Sequence, residues 1–265
     1  MMGLTMLRWM SVLLCLAPLH AQSGQVCPGS PAVPEITQGV RAFKNAQYAA
    51  AVSHLRAAVD LDGNCLAARL YLATAYMQQY IPGADSPDNQ QMAASAREQF
   101  AAVLDQEPEN TLAMASLASL FFNMKRFDGA ETWYKRLIAV DPRNKEAHYT
   151  LGVIAWTRTF EQIQAARQAS GMKPDDPGPI RSDDARDELR AKVLPALQNG
   201  LDDLNQALAI DPEYDDAMAY MCLLLRAKAD LEESADDYKD DVAKADAWAQ
   251  KAIETRKIKA SRPVR

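Results

Sequence analysis

Small and bulky apolar residues return along this chain at a spacing of 34 positions. Ala96, Phe100, Pro108 and Asn110 recur as Ala130, Tyr134, Pro142 and Asn144. Ala113 and Leu117 recur as Ala147 and Leu151, and Ala118 as Gly152. A period of that length marks stacked supersecondary units, none of which can bury its apolar face alone. Residues 111–144 show the unit most clearly. Ala118 and Ala130 are small enough for two helices to approach closely. Phe121, Phe127 and Tyr134 fill the space around that crossing. Pro142 ends the second helix, because proline lacks an N–H and disfavours helix in the residue before it. A composition rich in Ala and Leu and low in Gly favours helix throughout.

The unit resembles the tetratricopeptide repeat (TPR). Leu117 and Ala118 take the Leu-Gly places of that family's first helix and Phe121 its aromatic place, while Ala130, Tyr134 and Pro142 match the second helix and its close. The resemblance implies an all-α fold, a right-handed α-solenoid of about five helix-turn-helix repeats. They cover residues 32–65, 66–110, 111–144, 145–214 and 215–260. In the first, "VDLDGN" puts glycine where the closing proline stands elsewhere.

Repeats 2, 4 and 5 carry insertions. Ala113 and Ala130 are 17 apart, whereas Ala68 and Ala96, like Ala217 and Ala245, are 28 apart, and Ala147 and Gly200 are 53 apart. The junctions "EPEN", "DPRN" and "DPEY" are intact, so every insertion falls between the two helices of a repeat and should leave from one edge. "YIPGADSPDNQQ" is turn chemistry, with Asp88 or Asn89 placed to cap the next helix. "SDDARDELRAKVLPALQNG" reads as a helix capped by Ser182 or Asp183 and kinked at Pro195. The Pro- and Asp-rich "SGMKPDDPGPIRSDD" before it is expected to form the tip of a projecting helical hairpin, about 160–194.

The N-terminus reads differently. Residues 1–21 carry Arg8, an apolar run from Trp9 to Leu19 and a small Ala21, the pattern of a secretory signal peptide. Cys15 follows Leu14 and Cys27 follows Val26, which argues against lipidation. A Pro/Gly-containing leader, 22–31, and a basic tail, 261–265, flank the repeats. The expected location is therefore periplasmic or secreted, after cleavage near Ala21. Export leaves Cys27, Cys65 and Cys222 in a disulfide-permissive compartment, with at least one unpaired inside the chain. A Cys27–Cys65 bridge would pin the leader to the first helices. Cys222 sits in an apolar run and reads as a small core residue. A net charge of −6 argues against nucleic acid as a partner. No apolar run reaches the ~20 residues a membrane span requires.

Little in the chain points to catalysis. There is no phosphate loop, nucleophile elbow or zinc-protease motif. His54 and His148 read as helix-surface or interhelix residues. "DLDGNC" lacks the later ligands of a calcium loop, and the acids of "KPDDPGP" are sequence neighbours on a turn. The basic residues of "RKIKASRPVR" suit a helix C-terminus. No catalytic, metal-binding or cofactor-binding residue is expected.

The TPR resemblance implies a non-catalytic scaffold of the cell envelope that holds a protein or peptide on the first-helix surface. Its groove positions fall on Phe43, Leu70, Thr74 and Met77, on Ser119, Phe122 and Asn123, on Tyr149, Val153 and Trp156, and on Leu223 and Arg226. The Lys and Asn clamp by which one subfamily holds a terminal carboxylate is absent, its places being taken by Ile36, Val40, Leu70 and Thr74. The alternatives are an adaptor that binds through the projecting hairpin and, behind it, a small-ligand-binding protein or enzyme.

Overall fold

The structure is a computed structural model that describes residues 27–173 and 176–262. The signal-peptide segment 1–21, leader residues 22–26, Pro174 and Asp175 of the expected tip, and tail residues 263–265 lie outside the described residues. Among the described residues there are ten α-helices and no strand. They are α1 (Val33–Lys44), α2 (Tyr48–Leu61), α3 (Leu66–Gln79), α4 (Pro87–Gln106), α5 (Thr111–Asn123), α6 (Phe127–Val140), α7 (Lys145–Ala169), α8 (Asp183–Ile210), α9 (Asp215–Ala229) and α10 (Ala235–Ser261). The chain divides into two compact units, Met1–Trp133 and Tyr134–Arg265, with the boundary inside α6.

In the N-terminal unit each helix from α1 to α4 packs on the next, α4 also meets α5, and odd helices meet across the layer (α1 on α3, α3 on α5). Small residues set the approach. A Cβ on Gly39 would lie 2.5 Å from Leu55 Cγ, and one on Gly129 would lie 2.7 Å from Phe121 Cδ1. Leu55, Ala51, Ala68, Ala96 and Phe100 are fully buried. The turns after α1 and α5 have the same form. Gln47 N–H donates to the Ala42 carbonyl and Ala46 N–H to Phe43, just as Arg126 donates to Phe121 and Lys125 to Phe122. These paired bonds satisfy carbonyls that a helix end leaves bare. They force positive φ on Ala46 and Lys125, where glycine is usual.

The repeat 2 insertion is held from within. Ser86, not Asp88 or Asn89, caps α4, accepting from Asn89 N–H at 3.2 Å. The buried Asn89 side chain instead clamps the loop. It donates to the carbonyls of Ile81 (2.9 Å) and Ala84 (2.8 Å) and accepts from Ile81 N–H (2.7 Å). Cys27 is bridged to Cys65 with a Cα–Cα distance of 5.8 Å. Closing a loop of 38 residues restricts the unfolded chain, a contribution of about 4 kcal/mol on the chain-entropy account.

In the C-terminal unit α7 packs on α8, α8 on α9 and α9 on α10, and α7 also meets α9. The helices touch almost backbone to backbone. A Cβ on Gly152 would lie 2.5 Å from Leu204 Cγ, and one on Gly200 would lie 2.5 Å from the Ala155 Cβ. His148 ties α7 to α8: its Nδ1 is 2.8 Å from Asp203 Oδ1 and its Nε2 is 3.3 Å from the Pro142 carbonyl. Ser182 caps α8, which is a single helix through Pro195. The basic end of α10 is engaged with acids around the start of α9. Arg256 bonds Asp215 (2.7 Å) and Asp216 (3.1 Å), Lys259 bonds Asp215 (2.5 Å), and Arg262 bonds Glu213 (2.6 and 2.8 Å).

The loop between α7 and α8 does not project freely. Its Ile180 is fully buried and its Met172 nearly so. Ile180 N–H donates to the Asp230 carbonyl at 2.9 Å. Arg167, buried on α7, pairs with the Asp230 carboxylate and donates to the carbonyls of Asp176 (2.6 Å) and Gly178 (3.3 Å). Arg190 of α8 reaches Glu233 at 2.5 Å. The insertions of repeats 4 and 5 are thus strapped to each other. Burial pushes the Asp230 carboxyl up to about 6, against the opposing pull of Arg167 and Arg226.

The native state therefore holds the Asp230 proton more tightly than the unfolded chain does. Its contribution is fully present below about pH 4 and is lost as pH rises through about 6, a change of about 3 kcal/mol. The difference in urea midpoint between wild type and Asp230→Asn should follow that curve. A difference that is flat between pH 4 and 7 would exclude it.

Candidate functional site

The expected groove positions lie on the odd helices, and each unit is described by itself. In the N-terminal unit Leu70, Thr74 and Met77 share one face of α3 and are all buried, as is Ser119 on α5. The Thr74 hydroxyl donates to the Leu70 carbonyl at 2.7 Å, so its proton is already committed to its own helix. Phe43 is half-buried, with edge contacts to Tyr48 (5.5 Å between centroids) and Tyr71 (6.0 Å). Phe122 is half-buried against Phe127 at 5.8 Å, and Asn123 beside it is also half-buried. Most of this face is occupied by its own packing.

The C-terminal unit is more open. Tyr149, Val153 and Trp156 recur along α7 at spacings of four and three, so they form one stripe. Tyr149 and Val153 are buried and Trp156 is half-buried. The stripe continues into a row of rings across α7 and α9. Tyr214 lies 5.0 Å from Tyr149, Tyr149 5.6 Å from Tyr220, Tyr220 5.8 Å from Trp156, and Trp156 4.9 Å from Phe160. Tyr149 and Trp156 each stand nearly perpendicular to Tyr220, the edge-to-face geometry aromatic pairs prefer. Phe160 is 40% exposed and Leu223, on α9 beside Tyr220, 36% exposed. Arg226 is exposed and paired with Asp246.

Three members of this row were missing from the expected set. Tyr220 lies one turn before Leu223, and Phe160 one turn beyond Trp156 on the part of α7 that the insertion adds. Tyr214 was signalled by a departure from the repeat. Asn110 and Asn144 cap α5 and α7, accepting from Ala113 N–H (2.9 Å) and Ala147 N–H (3.1 Å). Tyr214 holds the same place before α9 and gives no side-chain cap. Its ring instead packs on Tyr149 and lies 5.1 Å below the Lys145 ammonium, which also bonds Asp211 at 2.6 Å.

Burial pushes the phenols of Tyr149, Tyr214 and Tyr220 above their ordinary range, and acids add to it: Asp216 acts on all three, Glu146 on Tyr214. At neutral pH the row is uncharged. Trp156, Tyr214 and Tyr220 keep part of their surface open. Among the described residues no group of three or more His, Cys, Asp or Glu side chains is placed to hold a metal ion, and no helix is long and apolar enough to cross a membrane.

Two stretches, residues 36–80 and 90–154, match family models described as tetratricopeptide repeat. No curated protein matches the chain in sequence. Among solved structures it is similar to MamA, residue 41 to the end, from Desulfovibrio magneticus RS-1. That pair is 15% identical, with 87% of this chain and 97% of that chain covered and a TM-score of 0.58. It is also similar to YrrB, described as a TPR protein with an unusual peptide-binding site, at 15% identity. There, 85% of this chain and 92% of that one are covered, with a TM-score of 0.51. At these identities the likeness is one of fold.

Ultraviolet titration of phenolate checks the row. The chain has nine tyrosines. Tyr149 and Tyr214 should stay protonated at about pH 11, where an exposed tyrosine, with pKa near 10, has ionised. Nine phenolates in the folded protein at that pH would show the row to be open to water.

Proposed function

The chain is a tetratricopeptide-repeat protein, and we propose that it acts by binding a protein or peptide segment rather than by catalysis. One observation supports this most: the row of rings on α7 and α9, built on the buried Tyr149 with Trp156, Tyr214 and Tyr220 half-buried, and running on into the exposed Phe160 and Leu223. Large rings on a pre-formed helical face bury much ligand area with few rotamers to freeze. The row would seat an amphipathic helix or an extended apolar segment. Phe43 and Phe122, in the N-terminal unit, offer less, because most of their neighbours on the odd helices are already buried.

The reading places this scaffold in the cell envelope. Two features support export: the signal-peptide pattern of residues 1–21, and the Cys27–Cys65 bridge, a bond that persists in oxidising compartments. The MamA and YrrB likenesses support the scaffold and leave the partner open.

Pull-down from envelope extract with the full mature chain tests the proposal. Trp156→Ala should weaken capture of the main partner by tenfold or more, as loss of an aromatic anchor does, about 1.4 kcal/mol or above. Phe122→Ala should weaken it less. Far-UV helix signal should be unchanged in both. A partner held equally by wild type and Trp156→Ala would remove the α7/α9 face from the function. A mature N-terminus that still contains residues 1–21 would remove export.

A further inference from the structure

We propose that the α7/α9 face takes a cationic apolar segment, one in which arginine or lysine is interspersed with large apolar side chains. The inference rests on the reading of that face as a binding surface and adds the chemistry of its ligand.

The argument is one of charge and ring geometry. The faces of Tyr and Trp rings are negative and attract a cation within about 6 Å of the centroid. The row presents Trp156, Tyr220 and Tyr214 half-exposed. Nearly perpendicular steps at Tyr220 set ring edges against ring faces along the row. One such contact is already made inside the molecule, by the Lys145 ammonium 5.1 Å from the Tyr214 ring.

The surroundings hold a surplus of one acid: Glu146, Asp211, Asp215 and Asp216 pair with Lys145, Arg256 and Lys259. Asp216, half-buried on α9, acts on Tyr149, Tyr214 and Tyr220 together, and Glu146, exposed on the first turn of α7, acts on Tyr214. Acids and bases of the face pair with one another: Lys145 bonds Asp211 and lies 3.9 Å from Glu146, and Arg226 pairs with Asp246. Arg256 bonds Asp216 at 3.1 Å from the α10 side. An acidic ligand would set carboxylates against ring faces and against Asp216. A basic one meets the ring faces and that one surplus acid, in a chain whose net charge is −6. Arginine suits the face better than lysine, since its planar, weakly hydrated guanidinium stacks on rings.

The test pans a phage-displayed random dodecapeptide library on the full mature chain, then measures the best peptide by calorimetry. Enriched sequences should combine arginine or lysine with aromatic or aliphatic residues. Replacing the peptide's basic residues by glutamine should weaken binding about tenfold, as loss of a desolvated cation–π contact would. Asp216→Asn should weaken the basic peptide several-fold and its glutamine analogue little. Because the peptide substitutions use wild-type protein, they stand even if Asp216→Asn disturbs folding. Neutral or acidic peptides whose binding still falls in Trp156→Ala would overturn the charge inference and keep the binding face. Binders indifferent to Trp156→Ala and Tyr220→Ala, or no binders at all, would overturn both.

Discussion

Two backbone hydrogen bonds close each junction between helix pairs. Asp62, Glu107, Asp141 and Asp211 donate N–H to the carbonyls of Ala58, Val103, Leu137 and Ala207. Three residues later Cys65, Asn110, Asn144 and Tyr214 donate N–H to the carbonyls of Asp62, Glu107, Asp141 and Asp211. At three of the four junctions the aspartate side chain also accepts from the N–H two residues on. The second helix thus stops at a fixed residue and the next starts at a fixed residue. Everything that depends on register follows: which small residue meets which leucine, and which side chain stands at the start of each odd helix. That last position is where the chain differentiates. Two junctions place an asparagine cap there, one places half of a disulfide, and one places the first ring of the aromatic row.

This explains what could be read from the sequence. The spacing of 34 gave the paired helices and the close approach at Gly152, which recurs in the place of Ala118, because a local pattern repeated is a packing rule repeated. The stripe Tyr149, Val153, Trp156 was legible for the same reason. Tyr214 was visible only as an exception to the asparagine rule. Phe160 lies outside the periodic unit, on a stretch of α7 that no other repeat contains, so the repeat offered no position to compare it with. On α3 Leu70, Thr74 and Met77 share a face but are buried by their own neighbours, which a pattern of positions does not report.

The strap between α7 and α9 shows the other limit. Arg167 and Asp230 are 63 residues apart. Arg167 sits near the end of α7, before the Pro- and Asp-rich loop, and Asp230 directly follows α9. Local chemistry predicts a solvated tip there. The fold instead brings a guanidinium to two loop carbonyls and one buried carboxylate, and Ile180 is drawn in beneath them. An ion pair in such a place is weak evidence of added stability, since both charges lose water. It fixes where the loop lies, through the bonds of Arg167 to the carbonyls of Asp176 and Gly178.

The sulfur bridge at the other end of the chain decides how the protein carries load. Residues 28–64, with α1 and α2 among them, lie inside the closed loop between Cys27 and Cys65. Tension applied at the N-terminus passes through the two sulfurs directly to the first residue before α3. The first helix pair is mechanically bypassed: it cannot be the part that peels away when the chain is pulled from that side. A protein tethered by its leading segment would keep its first repeat folded under force until α3 itself gave way.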